Sequence, residues 1–348
     1  MNVSGPLISV IILNYNGARW LERCLTSLRS QSLAPQIEVI VADNQSTDGS
    51  DQLAEKLIQS VPRGVFIRHG ANLGYCEGNN RAARTAHGKY LLFLNNDTWL
   101  EPDCLENLLH EIERTSAQAA TPLVLNYSDD SFQSLGALGF DALGLSSTRA
   151  SFDTTREVFM PEGCCYWIER EWFERLGGFD PALFMYSDEF DLSWRVWIAG
   201  GKAVGVPSSC LHHRGAAQVN PEGGDQVNEL RTSDTKRFYA NRNGLLVLLK
   251  NCQHILLLMV PAQLALLIGE AAASLVLVRR WSFVRKAYWE ALVDCWHLRH
   301  HIAAERRRLW QIRCRSDFWM LRFLRWRFNR WDELVRMIRH GAPKVTRD

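Results

Sequence analysis

Polar residues follow three short apolar segments, and their side chains suit a phosphorylated ligand and a metal ion. They are Asn14 and Asn16 after ISVIIL, Asp43 after IEVIVA, and Asn96 and Asp97 after LLFL. A carboxylate such as Asp97 can hold Mg²⁺ or Mn²⁺, which take oxygen ligands and bridge phosphate oxygens. Asp43 can accept a hydrogen bond from a pyrimidine or a ribose. Both aspartates also fit ordinary helix caps and turns.

A second group of acids, Asp188, Glu189 and Asp191, lies in the aromatic segment FMYSDEFDLSW. If residues 189–197 form a helix, Asp188 and Glu189 lie at its start. Burial among aromatic rings raises the pKa of a carboxylic acid, and such a group can act as a general base. A run of acids is equally typical of charge compensation at a helix N-terminus. The large rings nearby favour the catalytic interpretation.

Two adjacent histidines, His212 and His213, follow the segment VGVPSSCL and precede Arg-Gly. We expect them in a loop that follows a strand at residues 202–206. A histidine there can complete a metal site or contact a diphosphate, and a structural role is equally compatible with the sequence.

The elements that position these residues alternate between strands and helices. Apolar, β-branched segments at residues 7–13, 37–42, 65–68 and 89–97 predict strands. Amphipathic helices are predicted between them, including one at residues 81–86. This alternation predicts an α/β, Rossmann-like fold with a mostly parallel sheet flanked by helices. Ligands bind such sheets beyond the carboxyl ends of the strands, where the three polar groups fall.

The composition of the 348 residues, 47% hydrophobic and 22% charged, excludes a disordered chain and suits one catalytic domain with an appendage. The net charge of +2 conceals an uneven distribution, because residues 279–348 carry 18 lysines and arginines against seven acids, a net of +11. Such a segment predicts a basic surface that meets an anionic partner. Nine irregularly spaced cysteines and a short polar N-terminus predict free thiols in a reducing, cytoplasmic setting.

The C-terminal part combines an apolar segment with a basic one. Residues 255–278 are numerous enough to span a bilayer, but they include Pro261, Gln263 and Glu270. A spanning helix, an in-plane helix and a buried helical pair all fit, and we favour helices on the membrane or docked against the catalytic domain. Residues 318–339 predict a basic amphipathic helix suited to anionic lipid. Because the rest of the chain is acidic, nucleic acid is not the expected partner.

Seven motifs follow one another over about residues 8–250: ISVIILNYNG, VADNQSTDGS, ANLGYCEGNN, YLLFLNND, GGFDPALFMYSDEFDLSWR, LHHRG and YANRNGLLVLLKN. In this order they resemble glycosyltransferase family 2, especially its bacterial rhamnosyltransferase-like branch. The resemblance implies a GT-A fold and inverting transfer from a nucleotide-activated sugar, aided by a divalent cation, Mg²⁺ or Mn²⁺. The residues expected to bind nucleotide or sugar are Asn14, Asn16, Asp43, Asn72, Gly74, Asn80, Asn96, Gly163, Cys164, Asp191 and Arg242.

The resemblance also implies metal and base residues. Asp97 matches the metal-binding acid of the family's D-x-D signature, whose first acid is replaced here by Asn95. His212 is favoured over His213 as the second metal ligand, because a glycine follows it three residues on. Glu189 takes the place of the catalytic base, with Asp188 as a competitor. The resemblance assigns no specific chemical role to the Arg-Asn pair in YANRNG.

We therefore predict a GT-A catalytic domain at residues 1–250 and a helical membrane-associating region at residues 251–348. The expected donor is a dTDP- or UDP-linked sugar, with rhamnose as the candidate, and the expected acceptor is a lipid-linked or cell-surface glycan. The enzyme is expected to lie on the inner face of the cell membrane. The alternatives are an inactive membrane scaffold and a nucleotidyltransferase, although the LNYNG turn lacks the latter's glycine-rich loop.

Overall fold

The computed structural model describes residues 5–215, 231–331, 335 and 344–346. The strands are β1 (Ile8–Asn14), β2 (Ile37–Asp43), β3 (Gly64–Arg68), β4 (Tyr90–Leu94), β5 (Thr98–Leu100), β6 (Ala119–Asn126), β7 (Phe132–Ser134), β8 (Ala137–Phe140), β9 (Ser146–Arg149), β10 (Arg156–Glu157), β11 (Cys165–Glu169), β12 (Ala203–His213), β13 (Arg231–Ser233) and β14 (Lys344–Thr346).

The helices are α1 (Leu21–Arg29), α2 (Ser50–Ile58), α3 (Gly74–Ala83), α4 (Cys104–Thr115), α5 (Arg170–Arg175), α6 (Asp188–Ile198), α7 (Asp234–Asn251), α8 (Met259–Leu277), α9 (Trp281–Val284), α10 (Ala291–His297), α11 (Arg299–Ile312) and α12 (Asp317–Met320). Shorter 3₁₀ turns lie at Ala34–Gln36, Pro181–Leu183, Ile255–Leu258 and Leu321–Phe323, and a π-helix lies at Arg285–Glu290. All nine cysteines are described, and the predicted free thiols are confirmed.

One ten-stranded mixed sheet forms the centre of the molecule. Eight of its strands follow the order β10-β12-β6-β11-β4-β1-β2-β3, and the other two are β5, which pairs with β12, and β7, which pairs with β6. Strands β3, β2, β1 and β4 are parallel, whereas β11 runs antiparallel between β4 and β6. Alternate residues of β1 enter separate cores: Ile11 belongs to one, and Val10 and Ile12 belong to the other. This alternation follows from strand geometry and explains why β1 is apolar throughout. The predicted mostly parallel α/β fold is confirmed.

Two local predictions are corrected. The helix expected at residues 81–86 already begins at Gly74. His212 and His213 lie in β12 rather than in a loop after it, because β5 pairs with this end of β12 and extends the strand. The pairing register shifts between Val206 and Cys210, so the sequence pattern of the strand is interrupted there.

The apolar segment forms a 3₁₀ turn followed by α8, and together they are long and apolar enough to cross a membrane. Only 22% of the most apolar 18-residue window is buried. The segment is therefore not a buried core helix, and its apolar side chains remain available to a partner.

The continuous amphipathic helix predicted at residues 318–339 is wrong. Helix α12 and a 3₁₀ turn end at Phe323, and Leu324 then pairs with Phe140 of β8. Met320 and Phe323 are buried in the same core as residues of the central sheet, which explains why the three- and four-residue spacing misled the prediction. Arg336, Ile338 and Arg339 of the predicted helix lie outside the described residues.

Candidate functional site

Asn14, at the end of β1, is a fully buried hub of the sheet's carboxyl edge. Its Nδ2 donates to Asp43 Oδ1 at 3.0 Å and to Ser50 Oγ at 2.9 Å, while its Oδ1 accepts from Asn96 Nδ2 at 3.0 Å. Asn14 and Asp43 are neighbours in register on parallel strands, so the strand ends meet there. The structure thus brings the three polar groups together, with the Asn14 amide bonded within the protein.

Asp43 shapes the loop that follows β2. Its Oδ2 accepts the backbone N–H groups of Gln45 and Ser46 at 3.1 Å, and its Oδ1 accepts the Ser46 hydroxyl at 2.6 Å. The exposed Asn16 has a φ of 52° and accepts the Thr47 N–H at 2.8 Å. These bonds fix the two turns that border the site.

The loop before α3 lies beside this edge. Asn44, which sequence reasoning missed because it lies in a turn-like polar run, donates to Asn72 Oδ1 at 2.9 Å. Gly74 has a φ of +73°, and a Cβ there would lie 2.5 Å from the Phe184 ring, so glycine is required. The amide of Asn80 is bonded to both backbone groups of Phe179. Asn80 is therefore a buried brace of the loop rather than a group that faces a ligand.

On the metal side, Asp97 follows β4 and lies next to His213, with 3.4 Å between Asp97 Oδ1 and His213 Nε2. His212 instead stacks on Trp99 at 3.6 Å between ring centroids, and its Nε2 lies 3.0 Å from Glu101 Oε1. Successive side chains of a strand point to opposite faces, so only one of the two histidines can face Asp97. The structure therefore places His213, and not the predicted His212, beside Asp97.

Asp97 and His213 offer a carboxylate and an imidazole, which fit a divalent cation of the Mg²⁺ or Mn²⁺ type. No group of three or more His, Cys, Asp or Glu side chains within the described residues could hold a metal by itself.

On the base side, Asp188 and Glu189 begin α6, the first buried and the second half-buried. Burial raises the pKa of Asp188 well above its usual value, and the neighbouring Glu189 charge adds to the effect. Burial also raises the pKa of Glu189, although a hydrogen bond from Asp188 opposes the rise. The two carboxyl groups thus lie side by side at the start of α6, and burial raises the pKa of both.

A short loop connects the metal side with the base side. A Cβ on Gly163 would lie 3.4 Å from the Glu189 carboxyl carbon, and the next residue, Cys164, hydrogen-bonds to His213. Tyr75 donates through its hydroxyl to the Gly163 carbonyl at 3.2 Å. Sequence reasoning missed Tyr75, whose only signal is its place after the required glycine of ANLGYCEGNN.

Two predicted ligand-binding residues are instead bonded within the protein. Asp191 is fully buried and pairs with Arg195 Nη2 at 2.8 Å and with Lys250 Nζ at 3.1 Å. Burial alone would raise the pKa of Asp191, but these two cations outweigh it and hold the pKa below its usual value. Arg242 is also buried, and its Nη1 lies 2.7 Å from Asp294 Oδ2.

We expect His213→Ala to weaken metal-dependent activity or the affinity for Mn²⁺ by about 10–100-fold or more. Loss of a group that merely supports a metal site already has an effect of this size. His212→Ala is the control, because the adjacent ring contacts Trp99 and Glu101 instead. Activity titrated against Mn²⁺ tests both variants. A larger loss of Mn²⁺ affinity in His212→Ala than in His213→Ala would contradict a metal-binding role for His213.

Comparisons with known proteins bear on the fold and the family of the chain. The Glycosyl transferase family 2 profile matches residues 9–177. The chain is 29% identical over 226 residues to polypeptide N-acetylgalactosaminyltransferase 16 of Homo sapiens, covering 60% of this chain and spanning only 40% of that relative's length. It is 30% identical over 270 residues to N-acetylglucosaminyl-diphospho-decaprenol L-rhamnosyltransferase of Mycobacterium tuberculosis, covering 68% of this chain and 85% of the relative.

Among solved structures, GalNAc-T7 with UDP, GalNAc and Mn²⁺ superposes with a TM-score of 0.65 at 16% identity, covering 98% of this chain and 59% of that one. This likeness concerns the fold, whereas the rhamnosyltransferase is similar in sequence over most of its length. The chain therefore has the GT-A fold and belongs to glycosyltransferase family 2.

Proposed function

We propose that the protein transfers a sugar from a nucleotide diphosphate to a lipid-linked glycan acceptor, with inversion at the anomeric carbon. The observation that carries the proposal is the connection of Asp97 and His213 to Glu189 through Gly163 and Cys164. A leaving diphosphate needs a group that holds a cation, and an acceptor hydroxyl needs a carboxylate base. The two must lie on either side of one sugar. The related rhamnosyltransferase supports rhamnose as the sugar and a polyprenyl diphosphate as the acceptor carrier.

In this mechanism the Glu189 carboxylate takes the proton of the acceptor hydroxyl. The acceptor oxygen forms a bond to the anomeric carbon as the bond from that carbon to the diphosphate oxygen breaks, and the electron pair leaves with the nucleotide diphosphate. Asp97 and His213 would hold a divalent cation, which supplies neutralisation of the leaving diphosphate's charge. Asp188, a buried neighbour whose pKa is raised well above its usual value, would orient Glu189 through a hydrogen bond. Asp43 and Asn72 border the space proposed for the nucleotide.

A membrane setting is supported by the C-terminal helices. Trp281, Trp289 and Trp296 are each at least 65% exposed on one helical segment. Trp289 and Trp296 are seven residues apart and therefore share one face. Trp281 lies eight residues before Trp289, and the wider turn of the π-helix between them brings it to the same face. Tryptophans, exposed apolar α8 and the +11 charge of residues 279–348 together suit an anionic lipid interface. We therefore propose a peripheral enzyme on the inner face of the membrane, with residues 1–250 catalytic and residues 251–348 membrane-associating.

The donor is tested by measuring nucleotide diphosphate release from dTDP-rhamnose, UDP-GlcNAc, UDP-GalNAc and GDP-mannose. Each reaction contains Mg²⁺ or Mn²⁺ and a polyprenyl-diphospho-N-acetylglucosamine acceptor. We expect one donor to give acceptor-dependent release that a chelator abolishes. Donor binding without release from any of them would favour the inactive scaffold, and release of pyrophosphate from a nucleoside triphosphate would favour a nucleotidyltransferase.

We expect the protein to float with vesicles that contain anionic phospholipid and to bind neutral vesicles more weakly. Each lysine or arginine near an anionic surface contributes about 1 kcal/mol, and salt screens this attraction. Replacing Trp281, Trp289 and Trp296 together by alanine should shift protein from the floated to the soluble fraction. Activity on a short soluble acceptor should be retained, because these side chains lie outside the site.

Phe132→Ala, which removes an exposed aromatic ring from the catalytic part, is the matched control and should float like wild type. Truncation at Asp317 is unsuitable, because this buried carboxylate accepts the backbone N–H groups of Gln253, His254 and Leu256. Equal flotation of the triple variant and wild type would contradict the proposed lipid-binding face.

A further inference from the structure

The segment that leads into the catalytic acids has an unusual backbone. Phe184, Tyr186 and Ser187 have φ values of 62°, 68° and 61°, which side chains other than glycine rarely adopt. Such backbone conformations are strained, so the surrounding structure must hold these residues in place. Residues 184–187, here called the acid loop, lie directly before Asp188 and Glu189.

Helix α7 holds the acid loop through one face. Tyr239, Arg242 and Asn243 share this face because they are three and four residues apart. The Tyr239 ring stacks on the Phe184 ring, with 5.2 Å between centroids and 14° between planes. Tyr239 thus fixes the first residue of the loop from the side.

Asn243 makes the most direct contacts. Its Nδ2 donates to the carbonyl oxygens of Leu183, Met185 and Tyr186 at 2.9, 2.8 and 2.8 Å, and its side chain is fully buried. These carbonyl groups belong to residues within and beside the positive-φ segment, where the backbone makes no regular helical or strand bonds. The two N–H groups of one amide are therefore shared among three carbonyls of this segment, which ties the segment to α7.

Arg242 supports the same segment by contacting both the Asn243 side chain and the backbone before the acid loop. Its Nε donates to Asn243 Oδ1 at 2.9 Å, which fixes the orientation of the amide. Its Nη2 donates to the carbonyls of Ala182 and Leu183 at 2.5 and 3.0 Å, and its Nη1 reaches Asp294 of α10. The guanidinium thus connects the acid loop with the C-terminal helices.

The other side of the acid loop packs on the loop that begins α3. The Phe184 carbonyl accepts the Cys76 N–H at 3.1 Å, and the Phe184 ring occupies the space above Gly74. The acid loop therefore lies between α7 and the segment that carries Asn72 and Gly74. A displacement of the loop would move the base relative to the nucleotide side of the site.

We propose that Arg242 and Asn243 are positioning residues for the catalytic base: they hold the acid loop in its positive-φ conformation and thereby place Glu189 against the acceptor. The inference rests on the function proposed above, and it gives a role to the Arg-Asn pair of YANRNG. Neither side chain touches substrate in this role. Their effect is on the rate of the proton-transfer step rather than on donor binding.

The test compares Asn243→Ala and the isosteric Asn243→Asp with the control Asn241→Ala. Asn241 lies on the same helix and is also buried, but its amide donates to the Ala287 carbonyl and does not contact the acid loop. We expect both Asn243 variants to lower kcat by about 10²-fold, the scale of a displacement near 1 Å, with the KM for donor within a few-fold of wild type. Asn241→Ala should keep kcat at a temperature where its circular dichroism matches wild type.

Arg242→Lys keeps the charge but not the two-pronged geometry, and we expect an intermediate loss of kcat. This milder variant decides the question if the Asn243 variants do not fold. Wild-type kcat in folded Asn243→Asp or Arg242→Lys, or an equal fall in Asn241→Ala, would overturn the positioning role. If Glu189→Gln also retained activity, the base assignment would fail as well, which separates the two failures.

Discussion

Asp97→Ala is expected to lower transfer by about 10³-fold or more and to remove its dependence on Mn²⁺ or Mg²⁺. Its carboxylate lies beside His213, and the D-x-D signature offers only an amide at Asn95. A metal stabilises the charge of a departing phosphate by several kcal/mol, and each 1.4 kcal/mol corresponds to about tenfold in rate. The measurement is initial rate of nucleotide diphosphate release against metal concentration.

Asn95→Ala is the matched control for the Asp97 variant, because it removes the other side chain of the signature. A smaller loss is expected, since an amide oxygen is a weaker ligand than a carboxylate. Thermal unfolding should show that both variants fold. Full activity in Asp97→Ala, or wild-type activity in excess chelator, would contradict the metal role of Asp97.

Glu189→Gln is expected to lower kcat by about 10²–10⁴-fold, the usual contribution of a general base, with donor binding largely retained. Asp188→Asn should lose less, because an asparagine at this position can still donate a hydrogen bond to the Glu189 carboxylate. Single-turnover rates with the identified donor would separate the two variants. A larger loss in Asp188→Asn than in Glu189→Gln would make Asp188 the base.

The pH dependence follows from the same pair. A base must be deprotonated, so kcat should fall as the pH drops through the pKa of Glu189. Because burial raises this pKa, the acidic limb should lie above the pH range of an ordinary glutamate. The limb should disappear in Glu189→Gln, whose remaining activity does not depend on that proton. An acidic limb that is unchanged in Glu189→Gln would assign it to another group.

Much of the fold was predictable from local sequence. The apolar segments of β1, β2 and β4 are buried on both faces, and this demands the continuous hydrophobic runs that the sequence shows. Polar residues at the ends of parallel strands must gather at one edge, so the contacts of Asn14 with Asp43 and Asn96 follow from the order of the strands.

The roles of several side chains depend on long-range packing. Asp191 lies within a helical turn of Asp188 and Glu189, yet it pairs with Arg195 of α6 and with Lys250 of α7. No spacing rule reveals that Lys250, 59 positions away, will be its partner. Arg242 is similar, because its partners come from the acid loop and from α10. The tail also followed a helical pattern in sequence, but Met320 and Phe323 were drawn into the core instead.

The sequence by itself determined the α/β architecture, the polar edge of the sheet and the presence of an acid pair at the start of α6, because periodicity and strand ends are local properties. Local sequence does not reveal that His213, and not His212, faces Asp97, because this depends on the tertiary structure. Adjacent residues of a strand point to opposite sides, and which side faces the site depends on the register between β12 and β5 after an irregularity in the strand. That register is fixed by contacts between segments about 110 residues apart, which no local pattern in the sequence records.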